Sequence, residues 1–147
     1  MDIPLGGLAK WLRFCGFDTL SRDLRAPDPE SLPPPEGGTF LVTGQLSLAS
    51  LKRPDILIIY NTTPEGQLHE IFHRLGVNVD HLDPLSRCVR CNEILTEIPR
   101  QLAAGRLPDY IWHTQAEFYE CPRCRRLYWP GSHFQHIMEK LKQITPD

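Results

Sequence analysis

Four of the five cysteines in this 147-residue chain fall in two C-x-x-C pairs, Cys88 with Cys91 and Cys121 with Cys124, and 29 residues separate the pairs. A C-x-x-C turn points two sulfurs at one ion. Two such knuckles complete the tetrahedron of thiolates that zinc prefers, at about 2.3 Å per Zn–S bond. The neighbouring residues agree with tight knuckles: Asn92, after Cys91, tolerates a left-handed backbone, and Pro122 pre-sets the turn between Cys121 and Cys124. With sulfur in all four positions the expected zinc is structural, because a catalytic ion keeps one position open. Two disulfides are the competing reading, disfavoured in a chain without a secretory signal. A redox pair is disfavoured as well, since neither C-x-x-C opens a helix after a strand. The fifth cysteine, Cys15, shares helical spacing with Leu5, Leu8 and Leu12 and reads as a small core residue.

The arginines are the second source of chemistry. Arg87, Arg90, Arg123, Arg125 and Arg126 flank the knuckles, and closing a zinc site would gather them near Tyr128 and Trp129. Guanidinium forks beside aromatic rings suit phosphates and unstacked bases, so these five arginines and Trp129 are candidate nucleic-acid contacts. The same arginines could instead offset the negative charge of a four-thiolate site. Residues 1–86 carry seven Lys/Arg against 11 Asp/Glu, net −4, and residues 87–147 carry nine against seven, net +2. The net charge of −2 thus joins an acidic first part to an arginine-rich second part. His69 and His73, four apart, could chelate a metal, although their helix face reads as solvated.

The elements that position these groups follow from periodicity. Residues 5–16 read as an amphipathic helix stopped by Gly16, followed by a short extended segment at 17–20. Five of the 14 prolines fall in 27–35, which excludes a regular helix there. The near-continuous apolar runs at 39–43 and 55–60 have the pattern of strands buried on both faces of a parallel sheet. Thr63-Pro64-Glu65 opens a helix with an apolar stripe of Leu68, Ile71, Phe72 and Leu75, ending at Gly76. Residues 80–87 are turn-like and mark a boundary. Beyond it the pattern gives strands at 93–97, 117–120 and 127–129, with an irregular stretch at 100–115. A final helix from Ser132 carries Phe134, Ile137, Met138, Leu141 and Ile144 on one face, as core or docking surface.

This length fits one domain or two small modules, and we expect an α/β module at 1–86 and a zinc ribbon with a C-terminal helix at 87–147. The longest apolar runs fall far short of the roughly 20 residues that span a bilayer. Asp2 stands where a signal peptide would carry basic residues, so a soluble, cytoplasmic protein is expected with no membrane partner.

Three runs of sequence resemble one family. Asp2-x-x-Leu5-Gly6-x-Leu8-Ala9-x-Trp11-Leu12-Arg13-x-x-Gly16-Phe17-Asp18 is similar to the opening motif of the Mut-seven C-terminal RNase family, a PIN-like domain followed by a zinc ribbon. Arg87-Cys88-x-x-Cys91-Asn92-x-x-Leu95 resembles its first knuckle, and Phe118-x-x-Cys121-x-x-Cys124-x-x-x-Tyr128-Trp129-x-Gly131-Ser132-His133 its second. The resemblance implies a small PIN-like parallel sheet flanked by helices. It also implies acidic residues that hold magnesium or manganese for RNA hydrolysis, since hard divalent ions need convergent oxygen ligands. By position those acids are Asp2 and the pair Asp28 and Glu30, with Asp23 as a further candidate. This sequence departs from the pattern in three places. Only Met1 precedes Asp2, prolines and glycines follow Glu30 where the family has a helix, and Gln45 stands where the family has an acid after the second strand. Two functions therefore compete: a metal-dependent ribonuclease using Asp2, Glu30 and Asp28 with Gln45 as an incomplete ligand, or a noncatalytic relative that binds RNA or a protein partner. His133 is expected to support the ribbon by packing or hydrogen bonding.

Overall fold

Two three-residue runs with every side chain buried, β1 (Leu41–Thr43) and β2 (Ile56–Ile58), pair in parallel with Leu41 opposite Ile56 and Thr43 opposite Ile58. The computed structural model describes residues 1–24 and 32–145. Side chains alternate across this sheet. Val42, Leu57 and Ile59 enter a core with the first two helices, whereas Leu41, Ile56 and Ile58 enter a second with Leu24, Leu32 and Leu48. Both strands are shorter than their apolar runs. Phe40 and Tyr60, at the ends of those runs, are exposed.

Helix α1 (Gly6–Phe14) buries Leu8, Ala9 and Leu12, and Cys15 joins the same core. It ends where expected, at Gly16, whose φ is +94° and whose missing side chain leaves room for the Asp83 carbonyl oxygen 2.5 Å from where a Cβ would stand. Helix α2 (Pro64–Leu75) begins at Thr63, whose hydroxyl accepts from the Gly66 N–H at 3.2 Å, and ends at Gly76 in the left-handed region. Both caps follow the sequence signals.

The start of the chain lies alongside β1. The Asp2 N–H donates to the Val42 carbonyl at 2.9 Å, Asp2 forms a parallel bridge with Arg22, and the Met1 ammonium donates to the Leu20 carbonyl at 2.9 Å. Asp2 is thus held in line with the sheet.

The second part holds a three-stranded antiparallel sheet in the order β3 (Thr96–Ile98), β4 (Phe118–Glu120), β5 (Leu127–Tyr128). The first strand lies later than its expected 93–97, because Ile94 instead bridges Arg87 across the knuckle. Within the stretch read as irregular, α3 (Asp109–Thr114) forms after Pro108. Helix α4 (Ser132–Ile144) returns to the first core, with Leu141 fully buried and Ile137, Met138 and Ile144 packed against it. Lys140 of α4 also pairs with Glu65 of α2. No described helix is long and apolar enough to cross a membrane.

Candidate functional site

The two knuckles share one backbone plan. In the first, the Cys91 N–H donates to the Cys88 sulfur at 3.3 Å and the Asn92 N–H to the Cys88 carbonyl at 2.8 Å. In the second, the Cys124 N–H donates to the Cys121 sulfur at 3.5 Å and the Arg125 N–H to the Cys121 carbonyl at 2.9 Å. Asn92 at φ +66° and Arg125 at φ +61° turn the chain back in equivalent places. Antiparallel pairing of β4 with β5 closes the hairpin behind the second knuckle. All four sulfurs lie within 4.8 Å of one another, with Cys88 and Cys124 at 3.7 Å. Tetrahedral bonds of about 2.3 Å would place sulfurs about 3.8 Å apart, so the four cysteines could hold a metal ion.

Electrostatics agree with that fit. Burial works against a Cys88 thiolate, but hydrogen bonds from the Tyr128 hydroxyl, 3.1 Å away, and from backbone N–H groups outweigh it and draw the pKa down to about 7. Desolvation and the neighbouring sulfurs push Cys91 up to about 12. Four thiolates this close together need a bound cation to hold their charge.

A second cluster forms at the end of β1. Asp2 is 2 % exposed, and both its oxygens are occupied. Oδ2 accepts from the Thr43 hydroxyl at 2.9 Å and from Gln45 Nε2 at 2.7 Å, and Oδ1 accepts from the Leu24 N–H at 3.3 Å. Gln45 Nε2 also donates to the Leu24 carbonyl at 2.9 Å, and the Gln45 N–H donates to the Thr43 hydroxyl. Because the amide nitrogen faces two acceptors, chemistry fixes which way the amide points. Its N–H groups meet Asp2, and its carbonyl oxygen does not turn inward as a ligand. Gln45 is a donor to Asp2 and to the Leu24 carbonyl in this arrangement. Among the described residues the Asp2 carboxylate carries three hydrogen bonds, whereas magnesium or manganese takes several convergent oxygen ligands. Asp28 and Glu30 lie outside the described residues. Asp23 is exposed.

The arginines divide. Arg87 faces inward, donating to the Gly16 carbonyl at 3.2 Å and the Asn92 carbonyl at 2.9 Å and pairing with Asp18 at 3.4 Å. Arg125 pairs with the buried Glu120 at 3.1 Å, and Arg123 lies 3.8 Å from Glu93. Arg90 and Arg126 are exposed, and no described residue forms a hydrogen bond or ion pair with either guanidinium. Trp129 is half-buried, its indole against Gly131. His69 and His73 are exposed with ring centroids 4.1 Å apart, and His133 is exposed at the start of α4.

Two residues outside these candidates, Arg13 and Asn92, tie the first knuckle to the α/β part. Arg13 donates to the Thr19 carbonyl at 2.9 and 2.8 Å and to the Val89 and Arg90 carbonyls at 3.2 and 3.1 Å. Asn92 Oδ1 accepts from the Thr19 N–H at 2.9 Å, and its Nδ2 donates to Asp18 at 2.7 Å. The contacts between the knuckle and the α/β part span more than 70 residues, and only the turn preference of Asn92 hints at them in the sequence.

No curated protein and no solved structure matches the chain. The family model described as the Mut7-C RNAse domain matches residues 1–141, nearly the whole length, and so takes in Asp2, Gln45 and both knuckles. The chain belongs to the Mut7-C RNAse domain family.

Proposed function

We propose that this protein is a zinc-stabilised, RNA-binding member of its family whose acidic site does not support metal-dependent cleavage. The observation that carries the reading is the Gln45 amide, which donates to Asp2 at 2.7 Å where a nuclease needs a cation or a second carboxylate. Hydrolysis of a phosphodiester by this chemistry requires a divalent ion to activate water and neutralise developing charge. A buried carboxylate that already accepts from a hydroxyl, an amide and a backbone N–H keeps about one of its four lone-pair sites for such an ion.

Zinc is the ion of choice at Cys88, Cys91, Cys121 and Cys124, since an all-thiolate tetrahedral set selects it over harder ions. With four sulfurs bound, the ion is structural. Metal analysis should give one zinc per chain, and Cys88→Ser should lose it. RNA contact is assigned to the exposed Arg90, Arg123, Arg125 and Arg126, which flank the knuckle cysteines in the sequence, and to Trp129. Arg87 is left out of that set, because its side chain is 20 % exposed and bonded to Asp18 and two carbonyls, whereas Arg123 and Arg125 remain 70 % and 68 % exposed beside their carboxylates.

The test is cleavage of single-stranded RNA with manganese by wild type, Asp2→Asn and Gln45→Asp. The expected result is no cleavage above background by wild type. Cleavage by wild type that Asp2→Asn abolishes would establish the competing reading, a working ribonuclease.

A further inference from the structure

A groove of about 820 Å³ runs between α1, α3, α4 and the ribbon, away from the Asp2 cluster. It falls in the roughly 300–1,000 Å³ range of ligand sites. Its walls are aromatic: Trp11 and Phe14 from α1, Tyr110 from α3, Tyr128 and Trp129 from the ribbon, and Phe134 from α4. Helix α1 is apolar on two sides. Leu8, Ala9 and Leu12 fill the core, while Gly7, Lys10, Trp11 and Phe14, at spacings of three and four, face the groove.

The charge of the lining is one-sided. No carboxylate lines the groove among the described residues, and Lys10 does, with no hydrogen bond or ion pair from a described residue to its ammonium. Ser132 and His133 add polar donors. Arg90 and Arg126, both exposed, are the chain neighbours of the lining residues Val89 and Leu127; of the acids that likewise adjoin the lining, Glu65 is paired with Lys140 and Asp109 stands at the start of α3. Aromatic walls with cations and no acids suit a ligand that is planar, apolar on its faces and anionic at its edge. Unstacked nucleotides have that chemistry. An apolar peptide would have no use for the cations.

We propose that this groove binds the bases of a single-stranded RNA segment, with Lys10 and the flanking arginines on its phosphates. The proposal rests on the RNA-binding reading above and adds where the bases go.

The test uses the zinc-loaded full chain and a fluorescent uridine decamer, followed by anisotropy. Tyr110→Ala and Lys10→Gln alter exposed side chains, so neither threatens the fold. Each should weaken binding roughly fivefold or more, and Tyr60→Ala, at the same 68 % exposure but outside the groove, should leave it unchanged. In a Trp112→Phe background the remaining Trp11 and Trp129 both line the groove, so the decamer should quench the intrinsic fluorescence. Unchanged affinity in Tyr110→Ala and Lys10→Gln, with wild type binding normally, would overturn the groove and leave RNA binding standing. No binding by wild type would overturn both. An apolar dye that fills the groove and is not displaced by the decamer would make it a protein-docking surface and also overturn the proposal.

Discussion

At the scale of the residue, burial decides what each candidate group can do. Cys15 is 1 % exposed, and burial pushes its thiol up to about 12, so it has neither access nor thiolate at neutral pH. A thiol-specific reagent should find no reactive cysteine in the metal-loaded protein, four after chelation and all five after denaturation. Early labelling of Cys15 would contradict the assignment. Asp55 gives a pH dependence with a definite sign. The hydrogen-bonded Arg53 guanidinium, 2.5 Å away, holds the Asp55 carboxyl below the usual carboxylate range. A depressed folded pKa stabilises the fold above the unfolded value and loses that contribution as pH falls. Denaturant melts should therefore separate wild type from Arg53→Met most at neutral pH, and the gap should narrow as pH falls through the acid range.

At the scale of the element, the first knuckle is a joint as well as a metal clamp. Asn92 holds φ +66°, is 7 % exposed and joins Thr19 to Asp18 through its amide. Asn92→Gly keeps the backbone but leaves the buried Thr19 N–H unpaired, at a cost of about 1–3 kcal/mol. Asn92→Ala adds left-handed strain of about 1 kcal/mol more. Equal stability of wild type and both variants in urea would show that the amide holds nothing together. Some of this was legible in the sequence. Cys88-x-x-Cys91-Asn92 announced the turn, Thr63-Pro64 and Gly76 announced both ends of α2, and the apolar runs announced β1 and β2. The partners of Arg13 and Asn92 were not, because contacts across more than 70 residues leave no periodic trace. Helix α3 was missed because its six residues bury no side chain and so carry no stripe.

At the scale of the whole molecule, α4 carries the last part of the chain back to the core of the first. Leu141 is fully buried beside Leu68 and Phe72, so Leu141→Ala should cost about 2–5 kcal/mol and lower the melting temperature of the whole chain. A variant in which only the ribbon melts early would show the two parts to be independent. The same long-range packing brings Met1, Leu24 and Gln45 around Asp2. Alignment to the family's acids identified Gln45 as the residue in question, but only the fold shows its amide as a donor. The central claim is that this amide stands where a cation would. Manganese binding by the zinc-loaded protein, followed by the loss of the free-ion electron paramagnetic resonance signal, tests it most directly. Wild type should bind no manganese and Gln45→Asp should bind one ion. Stoichiometric binding by wild type that is lost in Asp2→Asn would contradict the account.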